Sequence, residues 1–99
     1  MAFQIIWSET AYEDLKDIAR YISVDNPEAA ASLAYRIILR IENASEYPFS
    51  NRSVPEKGEE NIREAILKPY RLIYSVDDVN NSIHVLRIWH ASRGIPDIA

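Results

Sequence analysis

Near its C-terminal end the chain carries RIWHASR (Arg87–Arg93), two arginines, a tryptophan and a histidine within seven positions. Residues of these types do several kinds of chemistry. An imidazole at position 90 moves a proton near neutral pH. Guanidinium groups at 87 and 93 hold a phosphate or carboxylate in bidentate fashion. The same side chains also serve as the polar end of a core strand. Two further arginines, Arg63 in NIREAIL and Arg71 in YRLIYSV, lie in apolar segments upstream. The only other histidine is His84, and the pair shows no metal-ligand spacing. Cysteine is absent, which removes thiolate metal sites and disulfides. No metal and no cofactor is expected.

These residues need a scaffold. FQIIW (Phe3–Trp7), aromatic and β-branched, reads as an opening strand. Ser8 is a candidate N-cap, with Thr10 and Glu13 as an alternative capping box. Ala11, Leu15, Ile18 and Ile22 then form the apolar stripe of a helix over Ser8–Val24, leaving Glu13, Asp14, Lys16, Asp17 and Arg20 to solvent. Asn26-Pro27 starts a second helix, Pro27–Glu46, with Ala30, Leu33, Ala34, Ile37, Ile41 and Ala44 on its apolar side. The short link between them predicts an antiparallel hairpin. Phe49–Asn61, with clustered charges, a proline and a glycine, reads as a mobile loop. Three strands follow, NIREAIL, YRLIYSV and SIHVLRIWH, the last two joined through the turn-forming DDVNN. The expected architecture is a single α+β domain over residues 1–99, β-α-α-β-β-β, with the helix hairpin on one face of an antiparallel sheet.

Strand alternation then sorts the side chains. Tyr70, Leu72, Tyr74 and Val76 share one face, and Arg71, Ile73 and Ser75 the other. In the last strand His84, Leu86, Ile88 and His90 oppose Ile83, Val85, Arg87 and Trp89. A symmetric turn centred on Val79 sets Arg71 opposite Arg87. Like charges in that position are destabilising, which an anionic partner or a bridging carboxylate would relieve. Both arginines are expected on the face away from the helices, with their guanidinium groups at least partly open to solvent. Trp7 and Trp89 read as packing residues, Tyr70 and Tyr74 as core residues with hydroxyls at the rim.

A chain of 99 residues with 47% hydrophobic and 26% charged residues makes one ordinary globular core. No apolar run is long enough to span a membrane, and MAFQIIWSET has no leader pattern, so a cytoplasmic protein is expected. The net charge of −4 argues against general nucleic-acid binding. That charge comes from the first half: residues 1–50 hold four Lys/Arg against eight Asp/Glu, and residues 51–99 hold seven of each.

The ordered segments W-S-x-x-A-x-x-D-L (Trp7, Ser8, Ala11, Asp14, Leu15), I-x-x-Y-I (Ile18, Tyr21, Ile22), N-P-E-A-A (Asn26–Ala30), Y-P (Tyr47, Pro48), I-R-E (Ile62–Glu64), P-Y-R-L-I-Y (Pro69–Tyr74) and R-I-W-H-x-x-R (Arg87–Arg93) resemble the ParE/RelE superfamily of toxins from type II toxin–antitoxin systems. The likeness runs from Trp7 to Arg93 and is nearest the ParE branch. It implies a plasmid-stabilisation toxin that binds and inhibits DNA gyrase and is neutralised by a cognate antitoxin in a hetero-oligomer. Two alternatives accompany it: a RelE-like endonuclease that cuts messenger RNA on the ribosome, or a non-toxic homologue that binds antitoxin.

RNA cleavage through the 2′-hydroxyl needs a base, an acid for the leaving oxygen and cations for the developing charge. His90 is the one residue that would serve in proton transfer, with Arg63, Arg71, Arg87 and Arg93 stabilising charge. Yet no tyrosine follows Arg93, and an acidic protein gains little from ribosomal phosphates. Arg63, Arg71, Arg87, His90 and Arg93 are therefore read as target-binding candidates, with no catalytic residue assigned unless the protein is a nuclease.

Overall fold

Side-chain caps set the helix boundaries. The Ser8 hydroxyl accepts from the Ala11 amide at 3.0 Å, and the Asn26 carbonyl oxygen accepts from the Ala29 amide at 3.0 Å. In the computed structural model, which describes residues 2–98, the elements are β1 (Gln4–Trp7), α1 (Glu9–Ser23), α2 (Pro27–Glu46), β2 (Arg52–Ser53), β3 (Ile62–Leu67), β4 (Tyr70–Asp77) and β5 (Ser82–His90). Single 3-10 turns follow α2 at Pro48–Ser50 and β5 at Ala91–Arg93. None of the helices is long and apolar enough to cross a membrane.

The strands form one five-stranded sheet in the order β1-β5-β4-β3-β2. Strands β3 to β5 pair antiparallel, as expected, and the two-residue β2, inside the segment expected to be a loop, adds antiparallel to β3, while β1 joins the edge parallel to β5, from Gln4 beside Ser82 to Trp7 beside Val85. The α+β class with a helix hairpin on one face stands, and the sheet is mixed. A four-residue strand carries no mark of its direction in its own sequence. The main core joins Ala11, Ile37, Ile41 and Ala44 of the helices to Leu72, Tyr74, Ile83, Val85 and Ile88. A second, smaller cluster of Val54, Ile62, Ile73 and Trp89, with Leu86 and Ile98 packed against it, covers the other face.

The β4–β5 register departs from the symmetric hairpin. Val76 lies beside Ile83 and Tyr74 beside Val85, but Ile73 lies beside Arg87, because a bulge shifts the pairing by one residue between Ile73 and Tyr74. The bulge lets Ile83, Val85 and Ile88 all face the helices and turns Arg87 and Trp89 to the opposite face. The turn is centred between Val79 and Asn80 rather than on Val79, which moves the register by one residue, and the bulge moves it by one more, so Arg71 sits beside Trp89 and the expected arginine pair does not form.

The segment read as a mobile loop is tied down. Val54 is fully buried, and the Tyr74 hydroxyl donates to the Pro48 carbonyl at 2.6 Å while accepting from Asn51 at 3.1 Å. Tyr74 is therefore wholly internal rather than rim-facing, and burial pushes its phenol above the ordinary value.

Candidate functional site

Strand β3 alternates Arg63, Ala65 and Leu67 toward the helices with Ile62, Glu64 and Ile66 toward the other face. That places a carboxylate inside the second cluster. The Glu64 side chain is 0% exposed and accepts from Arg71 Nε at 2.6 Å and from Arg52 Nε at 2.5 Å. Arg71 also forks onto Glu56, Nη1 at 2.9 Å and Nη2 at 2.7 Å. With both carboxylates around it, the Arg71 side chain keeps only 11% of its exposure. The hydrogen bonds from Arg71 hold the Glu56 carboxyl at about 2, so the pair is ionised through the ordinary pH range. Glu56 and Glu64 together hold the Arg71 guanidinium above its usual value.

Arg87 is bound in the same manner by a different element. Trp7 ends β1, and from there α1 takes over the free edge of β5. The Ser8 hydroxyl donates to the Leu86 carbonyl at 3.2 Å. One turn and a half later the Asp14 carboxylate accepts the Ile88 amide at 3.0 Å. The same carboxylate accepts Arg87 Nε at 2.8 Å and Nη2 at 3.0 Å. Arg87 Nη1 donates to the Asp97 carbonyl at 2.9 Å. Side-chain exposures are 15% for Arg87 and 13% for Asp14. Asp14 therefore belongs to the sheet edge rather than to solvent, and it joins two of the sequence segments, W-S-x-x-A-x-x-D-L and R-I-W-H-x-x-R.

The expectation that Arg71 and Arg87 present open guanidinium groups is thus corrected. Each is held by a carboxylate in bidentate geometry, where an arginine contributes to folding before it contributes to a surface. Arg63 is also engaged. Its Nε donates to the Glu60 carbonyl at 2.7 Å, and its Nη1 donates to those of Phe49 and Asn51 at 3.1 and 3.0 Å. It stacks 4.9 Å from the Phe49 ring, clamping both ends of the loop.

Arg93 and His90 remain. Arg93 is exposed, stacks 4.2 Å from the Trp89 ring, and has no carboxylate within ion-pair distance among the described residues. Arg87 approaches the same ring at 5.0 Å, so the indole lies against two cations. The indole N–H donates to the Gly94 carbonyl at 3.2 Å, from a glycine whose φ of 83° only a residue without Cβ adopts readily. His90 Nδ1 accepts from the Ser92 amide at 3.1 Å and lies 2.7 Å from the Ser92 hydroxyl, capping the last 3-10 turn. An amide donates to Nδ1 only when that nitrogen carries no proton. Tyr70 meets the His90 ring edge-on at 5.3 Å.

These two residues border a pocket of about 350 Å³ between α1 and the end of the sheet, walled by Ile18, Tyr21, Tyr70 and Ile88, with Asp14 and Asp17 on the helix side. Its apolar walls and exposed cation suit recognition of a partner side chain. The charge-stabilising cations that phosphoryl chemistry would need are not gathered there. Among the described residues no group of three or more His, Asp or Glu side chains is placed to hold a metal ion.

Known proteins place this arrangement. A family model for the ParE toxin of the type II toxin–antitoxin system parDE matches residues 5–95. The chain is 31% identical over 97 residues to the putative toxin Y4kP of Sinorhizobium fredii, covering 96% of this chain and 95% of that one. Among solved structures, the chromosomal ParDE system of P. aeruginosa superposes with a TM-score of 0.72 at 21% identity, covering 90% of this chain and 96% of that one. The RelBE2 toxin–antitoxin complex of Mycobacterium tuberculosis superposes at 0.63 with 20% identity, over 91% of this chain and 99% of its counterpart.

Proposed function

Because the chain belongs to the ParE toxin family of type II toxin–antitoxin systems, we propose that it acts by binding DNA gyrase, is neutralised by a cognate antitoxin, and cuts no RNA. The observation that carries this reading is the internal neutralisation of Arg71 by Glu56 and Glu64 and of Arg87 by Asp14. A nuclease spends such arginines on the phosphorane, and here each already has its carboxylate. His90 is likewise occupied as a cap.

The gyrase contact is assigned to the end of the sheet where Arg93 is exposed on its tryptophan support and His90 and Tyr70 line the pocket. The exposed apolar residues of the helices, Tyr12, Tyr21, Tyr35 and Ile38, suit a helix-in-groove partner such as the antitoxin.

The experiment is Arg93→Glu. The side chain is exposed and makes no ion pair among the described residues, so only its stacking on Trp89, about 0.5–1 kcal/mol, is lost and the melting temperature should fall by no more than a few degrees. Losing one charge-assisted contact and gaining a repulsion should weaken gyrase inhibition by roughly tenfold or more, since about 1.4 kcal/mol is a factor of ten. Undiminished inhibition by a well-folded Arg93→Glu protein would move the contact elsewhere.

A further inference from the structure

The pocket between α1 and the end of the sheet has more donors than acceptors left to offer. Tyr70, in its wall, is only 9% exposed. Among the described residues its hydroxyl has no protein partner, and it is not sealed in, because it opens onto the cavity. Burial holds the phenol above its ordinary value with no hydrogen bond offsetting that shift, so it stays protonated and can donate.

His90 supplies a second donor. Its Nδ1 accepts from the Ser92 amide, so the proton of the neutral ring sits on Nε2, which has no partner among the described residues. Arg93 supplies the third donor and the charge, since its guanidinium rests on Trp89 and meets no carboxylate among the described residues. The acceptors of the same cavity are engaged. Asp14 accepts from Arg87 and from the Ile88 amide, and Asp17 accepts from Arg20 at 3.3 Å. Ile18, Ile22 and Ile88 make the wall between them apolar.

We infer that this pocket seats one carboxylate side chain of gyrase, an aspartate or glutamate, with its stem or an apolar neighbour lying on the isoleucines. This rests on the gyrase reading and specifies the side chain that the site takes. One formal positive charge with two neutral donors matches a single carboxylate, whose oxygens accept from all three. A volume of about 350 Å³ leaves room for an apolar neighbour beside it. A nucleic acid fits this charge pattern poorly. Its run of phosphates would pass Asp14, Asp17 and an acidic first half, in which Asp and Glu outnumber Lys and Arg by eight to four.

The test titrates the full chain with hexanoate, hexanamide and inorganic phosphate at constant ionic strength, following the side-chain resonances of Tyr70, His90 and Arg93. Hexanoate should shift all three saturably, hexanamide should bind about tenfold more weakly for want of charge, and phosphate should leave them unmoved. Tyr70→Phe removes a hydroxyl that bonds nothing among the described residues, so the melting temperature should hold. It should nevertheless weaken both hexanoate and gyrase binding, each by about three- to tenfold, as the loss of one neutral hydrogen bond does. A packing role for Tyr70 would leave both affinities unmoved. Equal binding of hexanamide and hexanoate overturns the carboxylate in favour of a merely apolar pocket, and shifts with phosphate alone overturn it in favour of nucleic acid. Gyrase bound equally well by Tyr70→Phe overturns the site and leaves the gyrase reading standing. An unaltered chain that takes hexanoate and binds no gyrase overturns the gyrase reading, and the named occupant with it.

Discussion

Glu64→Ala is expected to destabilise the fold by roughly 3–5 kcal/mol, the range for removing one partner of a buried ion pair. The carboxylate is wholly buried and accepts from two arginines, so its loss leaves Arg71 leaning on Glu56 alone beneath the second cluster. For a domain of this size each kcal/mol moves the melting temperature by about 4–8 °C. Glu64→Gln preserves the volume and one acceptor and should cost less, on the order of 1–3 kcal/mol. Arg52→Ala should cost about 1 kcal/mol or less, because that arginine is 58% exposed. Thermal or urea unfolding checks all three. Equal losses for Glu64→Ala and Arg52→Ala would contradict the central place given to the buried carboxylate.

Asp14→Ala is expected to cost roughly 3 kcal/mol, toward the low end for a buried pair because both side chains retain some exposure. Two things fail together: Arg87 loses its fork, and the Ile88 amide at the free edge of β5 loses its acceptor. The double variant Asp14→Ala/Arg87→Ala should lose less than the sum of the singles, with a coupling of about 1–3 kcal/mol in a double-mutant cycle. Additive losses, or a single loss below about 0.5 kcal/mol, would reduce the pair to an ordinary surface salt bridge.

The helices were legible because their ends are written in side chains, Ser8 before one and Asn26-Pro27 before the other, and their stripes repeat at helical spacing. The strands β3 to β5 were legible from alternation and from DDVNN. What alternation could not report is the bulge in β5. Ile83, Val85 and Ile88 reach the same face only if the period slips once, and the register of Arg71 and Arg87 depends on that slip. The direction of β1 was equally silent.

At the candidate site, sequence reasoning brought together five cationic or titratable residues, and the fold divides them. Arg63, Arg71 and Arg87 bind the protein itself, whereas Arg93 and His90 share a pocket. Glu64 and Asp14 were missed as partners because an acid looks solvated until its strand face or helix flank is known. One sign was present: each of these acids lies in a segment that carries the resemblance, and each pairs with an arginine from another such segment.

The most direct measurement runs two assays on the purified chain, supercoiling of relaxed plasmid by DNA gyrase and integrity of messenger RNA on translating ribosomes. The expected result is blocked supercoiling with intact messenger, and a His90→Ala protein that inhibits nearly as well, since a binding surface loses only one rim contact. Messenger cut in the ribosomal A site, with His90→Ala lowering cleavage by about 10²–10⁴-fold as loss of general acid–base catalysis would, is the contradicting result.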